Sequence, residues 1–280
     1  MNNNTNYPEY QEGGKRAAGA RRRKGKKQNR ALYYVILVVL LGVLVFSAVK
    51  IISYFRQQAA AADAQQGVLD DFITPANSDD TTDGQGTTSD DTKTPDQDSI
   101  TVNFDKMLEK YPDVVGFIYA ANTNIKYAIQ HGKGNDYYLT HDSEGNTNNN
   151  GSIFVEQLNS GSFSDNNTII YGHNMKTGMM FANLRNYHTD KSYYAAHPYM
   201  YIYTPSQNYR LDLFAGFVCE HDDEIYNTSL TQEQLEAMAA KSDFTSKIGT
   251  PTGKTVTLST CSYEFDNARY VVIGSLVPID

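Results

Sequence analysis

Three residues of this 280-residue chain have side chains suited to acyl transfer, and each adjoins a segment of strand character: Cys261 closes TVTLSTC, His173 follows TIIYG, and Arg269 opens RYVVIG. A thiol is the best unassisted nucleophile near neutral pH, with a reference pKa of about 8.5 that nearby cations lower. An imidazole, with a reference pKa of about 6.5, can return a proton to a departing amine. A guanidinium keeps its proton, so it can steady negative charge on a carbonyl oxygen but is a poor general acid. Taken singly, each residue has an ordinary reading: a surface histidine, an inert packed cysteine, an arginine guarding a strand edge. Taken together they supply a nucleophile, a proton carrier and an oxyanion cation.

Spacing sharpens the set. Cys261 ends one expected strand and Arg269 opens the next eight residues later, so the two can face each other across a short loop. His173 must arrive from another strand end. The order His, Cys, Arg differs from papain-like hydrolases, where the cysteine comes first and sits at a helix start. The remaining histidines form no metal-ligand pattern. His131 and His141 are ten residues apart among turn residues, and His188 and His197 lack the i, i+4 spacing of a helical zinc pair. Those four and His221 read as structural or surface residues, and nothing calls for a metal ion or other cofactor. Cys219 is the only other cysteine. One bridge is formally possible outside a cell, but it would consume the nucleophile, so two free thiols are expected.

The elements that must position these residues are short strands. VVGFIYA and IKYAIQ alternate in the strand manner around Asn122-Thr123-Asn124, a turn-forming cluster. SIFVE, NTIIYG, YMYIYT, YRLDLFAGFVCE, KTVTLST and RYVVIGSLV continue the pattern, bounded by Gly, Asn, Pro or Asp. With no βαβ alternation, the chain predicts a mostly antiparallel barrel or sandwich. Phe104, Met107 and Leu108 repeat at helical spacing before Pro112, which predicts a short helix ahead of the first strand. One long connection, from about Asp222 to Gly253, contains TQEQLEAMAAK, a helix with Ser229 or Thr231 as cap and Leu235, Met238 and Ala239 on one face.

Ahead of this domain, expected over 100–280, the chain changes character. Nine of its 24 Lys and Arg residues lie between Lys15 and Arg30, whereas from Ala31 onward there are 15 basic and 30 acidic residues. So acidic a folded part lacks the basic face that nucleic acid requires. Ala31 to Val49 is uncharged and as a helix spans about 28 Å, close to bilayer thickness. Segment 31–52 is therefore expected to be a transmembrane signal-anchor, with Tyr33, Tyr34 and Tyr54 near its ends. A cleaved signal peptide is the rival reading, disfavoured because signal h-regions are shorter. The basic tail, 1–30, is expected in the cytoplasm, which puts the catalytic domain outside a single-pass anchor. Segment 53–99, rich in Asp, Thr, Ser, Gly and Gln, reads as a disordered acidic linker without the spacing of a calcium loop.

From about Val102 to Asp280 the sequence resembles the class B sortases, cysteine transpeptidases of Gram-positive cell surfaces. The resemblance rests on VVGFIYA through IKYAIQ, DYYLTHDSEGNTNNNGSIFVE, NTIIYGHNM, FANLRNY, TLSTCSYEF and NARYVVIG. It implies an eight-stranded β-barrel with an added amino-terminal helix and a helix in the long connection before the cysteine strand. It implies Cys261 as nucleophile, His173 as catalytic histidine and Arg269 as catalytic arginine. Ser259 and Thr260 then match groove-lining positions, and the backbone N–H of Ser262 is an oxyanion donor candidate. Some class B members carry an acidic residue directly after the nucleophile and a longer segment before the arginine; this chain has Ser262 there, with Glu264 and Asp266 in a short loop.

The reaction implied is cleavage of a carboxyl-terminal sorting signal of secreted proteins after Thr, of the Asn-Pro-x-Thr or Ser-Pro-x-Thr type, through a thioacyl enzyme. A peptidoglycan amine then takes the acyl group. The alternatives are a pilin-polymerising sortase, a cysteine peptidase that releases product to water, and a non-catalytic surface scaffold.

Overall fold

The computed structural model describes residues 30–75 and 100–280. The chain divides into two units at Ser53 and Tyr54. A helix, α1, runs from Arg30 to Phe72. Its portion Arg30–Arg56 is long and apolar enough to cross a membrane, and its apolar side chains are exposed. Such a helix near an amino terminus suits a membrane anchor or a signal segment.

In the second unit the expected linker 53–99 departs from expectation where it is described. The helix continues to Phe72, and β1 (Ile73–Pro75) pairs antiparallel with β2 (Ile100–Val102). Phe72 is buried beside Tyr111 with ring centroids 5.9 Å apart, and its carbonyl accepts from Asn103 N–H at 2.8 Å. Ordering follows from an aromatic side chain that the acidic composition obscured; residues 76–99 of the expected linker lie outside the described residues. The predicted helix is α2 (Phe104–Lys110), capped by Asn103, whose Oδ1 accepts from Lys106 N–H.

The eight expected strands all form and close into a barrel. They are β3 (Val114–Tyr119), β4 (Lys126–Gln130), β5 (Ile153–Val155), β6 (Asn167–Tyr171), β7 (Tyr199–Tyr203), β8 (Asn208–Cys219), β9 (Thr255–Cys261) and β10 (Arg269–Ile279), in the order β10-β8-β7-β3-β4-β5-β6-β9. Among the described residues the helices between them are α3 (Asn135–Tyr138), α4 (Asn186–Thr189), α5 (Tyr193–Ala196) and α6 (Gln232–Ala240), with 3₁₀ turns at Ala182–Arg185 and Glu224–Tyr226. Two neighbouring pairs are parallel, β4 with β5 and β6 with β9, while the others are antiparallel.

Period-two alternation sorts side chains between two faces. Ile118, Ile129, Ile170, Leu258, Tyr270 and Val272 fill the interior. On the outer face, Phe217, Val271 and Ile273 pack under Leu235 and Met238 of α6, and Phe117 and Tyr201 pack under Met107 of α2. The phase on β8 is reset by a bulge opposite Ile273 and Gly274. Leu211 and Leu213 before it point inward, whereas Ala215, Phe217 and Cys219 after it face outward. Helix α6 starts with a full capping box of Thr231 and Gln234.

Candidate active site

The parallel pairing of β6 with β9 decides where the chemistry is. Tyr171 is in register with Ser259, and Gly172 N–H donates to the Ser259 carbonyl at 3.1 Å. Two residues further on each chain come His173 and Cys261, so parallel strands deliver both to the same edge and, by alternation, to the same outer face. On the other side of β9, the antiparallel hairpin sets Cys261 opposite Arg269. Ser262 N–H donates to the Ala268 carbonyl at 3.1 Å, which makes Cys261 and Arg269 the alternate, non-hydrogen-bonded kind of pair, whose side chains approach more closely. His173, Cys261 and Arg269 thus line one cavity of about 230 Å³ with Ser259, Thr260, Tyr171 and Tyr226.

Local contacts hold each of the three. His173 Nε2 is 2.9 Å from the Leu139 carbonyl oxygen, which can only accept, so Nε2 carries a proton and Nδ1 is the atom left for proton transfer. Gly172 admits no side chain, because a Cβ there would clash with Ile153 and Phe181. Asn174 Nδ2 donates to the Cys261 carbonyl at 2.7 Å and so ties the histidine segment to the cysteine strand. Arg269 Nη1 donates to the Asn267 and Ala268 carbonyls, both at 3.1 Å. Its Nε and Nη2 have no hydrogen-bond partner among the described residues.

One wall of the cavity is aromatic. Phe154, Tyr171 and Tyr226 follow one another with ring centroids 5.4 and 6.0 Å apart, and the buried Tyr138, which does not line the cavity, stacks on Phe154 at 5.6 Å. Tyr171 Oη donates to Glu156 Oε2 at 3.0 Å, and burial together with that carboxylate pushes its phenol up. Tyr226 Oη is 2.8 Å from Ser259 Oγ.

The groove candidates divide on this geometry. Ser259 faces the cavity beside Tyr226, whereas the Thr260 hydroxyl turns to the barrel side and donates to the Gly172 carbonyl at 2.8 Å. Ser262, the oxyanion-donor candidate, is engaged within its own hairpin. Its N–H is spent on Ala268, its hydroxyl bonds Glu264, and it is buried, because the tight hairpin return to Arg269 needs that backbone bond. Asn174, Tyr226 and His221 are contributors that sequence reasoning missed; His221, read as a surface residue, is exposed at the cavity rim. Asn174 stood directly after His173, but nothing in its type distinguished a clasp from a turn residue. Cys219, in register with Arg269 from β8, and Cys261 are both free thiols. Two strand spacings of about 4.8 Å separate them, beyond disulfide reach. Among the described residues no three His, Cys, Asp or Glu side chains converge as metal ligands would.

A model of the sortase domain matches residues 119–277, more than half of the chain and all three cavity residues. The chain belongs to the sortase family. This sortase is 38% identical to sortase B of Listeria monocytogenes over 174 residues, 59% of this chain and 70% of the relative. It is 28% identical to sortase B of Staphylococcus aureus over 191 residues, 65% of this chain and 78% of that one. The crystal structure of Clostridium perfringens sortase B superposes with a TM-score of 0.57 at 28% identity, covering 64% of this chain and 100% of that one. Its relatives are class B sortases, the barrel is theirs, and the protein is a cysteine transpeptidase of the cell-wall sorting kind.

Proposed function

We propose that Cys261, His173 and Arg269 are the catalytic residues and that the sortase works by ping-pong acyl transfer. The Cys261 thiolate attacks the carbonyl carbon of Thr in an Asn-Pro-x-Thr or Ser-Pro-x-Thr sorting signal near the carboxyl end of a secreted protein. Arg269, with two N–H faces free of partners among the described residues, holds the oxyanion. The C–N bond breaks, protonated His173 gives its Nδ1 proton to the leaving amine, and a thioester remains on Cys261. A peptidoglycan amine then attacks the thioester, its proton passes to His173, and the thiolate leaves. Thiolate and imidazolium are needed together, so the pH profile belongs to the pair. The observation that carries this reading is the lateral alignment of the three residues across β6, β9 and β10 around one cavity. It is supported by the solved S. aureus sortase B complexes with a substrate and with triglycine, a peptide whose free amine is of the kind the second step consumes.

The basic run before α1 holds the amino terminus in the cytoplasm, and α1 acts as an uncleaved single-pass anchor that keeps the cavity outside the cell, where exported substrates and wall precursors meet. Mass spectrometry after incubation with a sorting-signal peptide library checks the chemistry. The expected outcome is an acyl adduct on Cys261 ending in Thr, transferred when an amine is added and absent in Cys261→Ala. An active Cys261→Ala variant, or release of free acid alone with amine present, would contradict it.

A further inference from the structure

The loop from Ser262 to Ala268 joins the cysteine to the arginine, and it is strained. Tyr263 has φ of +70° and is largely exposed, and Asn267 has φ of +62°. A bulky side chain in the left-handed region persists only where neighbouring contacts over-determine the backbone. The residues on both sides of Tyr263 make such contacts. Ser262 Oγ donates to Glu264 Oε2, and Arg185 Nη2 donates to Glu264 Oε1 at 2.7 Å.

Arg185 ends the 3₁₀ turn that leads into α4, and α4 is fixed in turn. His188 Nδ1 is 2.8 Å from Asp243 Oδ2, its ring packs on that of Tyr270 at 5.5 Å, and its Nε2 is 3.9 Å from Glu264 Oε1. Partial burial raises the Glu264 carboxyl, but the bonds from Ser262 and its own backbone N–H, with Arg185 and His188 alongside, outweigh burial and hold it below the ordinary carboxylate range. At neutral pH it is a carboxylate. Such a half-exposed ion pair contributes little to global stability. Its leverage is directional, since it clamps the residue that follows the nucleophile.

We propose that Glu264, held by Arg185, is a positioning residue of the transpeptidase: through the Ser262 hydroxyl it fixes the strained Cys261–Arg269 loop so that thiolate and guanidinium face each other. The carboxylate thereby reaches the position directly after the nucleophile although the sequence has a serine there. The inference rests on Cys261 being the nucleophile and Arg269 the oxyanion cation.

The test uses the full chain in detergent with an Asn-Pro-x-Thr peptide and triglycine. Glu264→Gln is expected to lower kcat about 10- to 100-fold with KM within about twofold, the size expected of a misplaced catalytic group. Glu264→Asp should recover part of the loss, Arg185→Met should match Glu264→Gln, and the double variant should be no worse than either, as members of one linkage behave. Wild-type kcat in Glu264→Gln, or losses that multiply in the double variant, would overturn the latch. If Glu264→Gln does not fold, Ser262→Ala probes the same link, with an unchanged kcat again counting against it. Cys261→Ala separates the two ideas: inactive beside a fully active Glu264→Gln, it condemns the latch alone, whereas an active Cys261→Ala condemns the reading beneath it.

Discussion

At Arg269 two cysteines of opposite chemical fate lie on either hand, Cys261 on β9 and Cys219 on β8. Cys219 is buried with Phe217, Ile225 and Leu230, and burial, with Asp223 adding to it, pushes its thiol up to about 12. At neutral pH only about one in 10⁴ to 10⁵ such thiols is ionised. Reactivity therefore falls on the half-exposed Cys261. Iodoacetamide at pH 7.5 should modify Cys261 alone in the folded chain, and Cys219→Ala should keep kcat within about twofold while costing about 1 kcal/mol in unfolding free energy. A native-state adduct on Cys219, read by mass spectrometry, would contradict this account. Cys261 and His173 were legible from their chemistry and chain order, whereas Arg269 was reached mainly through the family resemblance and its eight-residue spacing from the cysteine. Asn174 and Glu264 were not, because an amide or carboxylate in a loop has many ordinary uses and only its partners reveal the one in force.

Elements meet at Asn167, the first residue of β6. Its buried amide accepts from the hydroxyls of Thr255 at 3.1 Å and Thr257 at 2.9 Å, and donates to the carbonyls of Ile225 at 3.0 Å and Asn227 at 2.9 Å. One side chain thus fastens β6 to β9 and grips the peptide groups on both sides of Tyr226, which walls the cavity. Asn167→Ala leaves buried hydroxyls and carbonyls unpaired, for an expected cost of about 2–4 kcal/mol. It should also raise KM for a sorting-signal peptide more than it lowers kcat, because the wall loosens while the reacting groups stay on their strands. Thermal unfolding and steady-state kinetics check both parts, and unchanged stability would sink the account. Strand and helix positions were readable beforehand from alternation, from Pro112 and from the Thr231 cap. The connection from Tyr171 to Tyr199 was not read as long or helical, since its 3₁₀ turn, α4 and α5 are each too short to show a period.

Across the whole molecule, burial of tyrosine sets an alkaline limit. Tyr171, Tyr187, Tyr226 and Tyr270 all have phenols raised by desolvation first, with neighbouring negative groups or phenols adding to it. In the unfolded chain tyrosine ionises near pH 10, while the folded chain keeps these protons. The unfolded state then binds fewer protons than the native state, so stability falls as pH rises. The Tm of the full chain should be nearly flat from about pH 7 to 8, begin to fall near about pH 8.5 as the Cys219 thiol ionises in the unfolded chain alone, and drop more steeply above about pH 10. A Tm unchanged at pH 11 would mean that these phenols ionise without cost in the fold.

The sequence by itself determined the kinds of chemistry available, the eight strands, the two flanking helices and an apolar segment of membrane length, because side-chain type and local periodicity are properties of neighbours in the chain. Tertiary structure alone decided that β6 and β9 run parallel, which brings His173 beside Cys261 although 88 residues separate them. It decided, too, that Phe72 enters the folded unit, that the Ser262 N–H is spent and that Glu264 reaches back to the nucleophile's neighbour. Each of these depends on contacts between segments distant in sequence, whose partners no local pattern encodes.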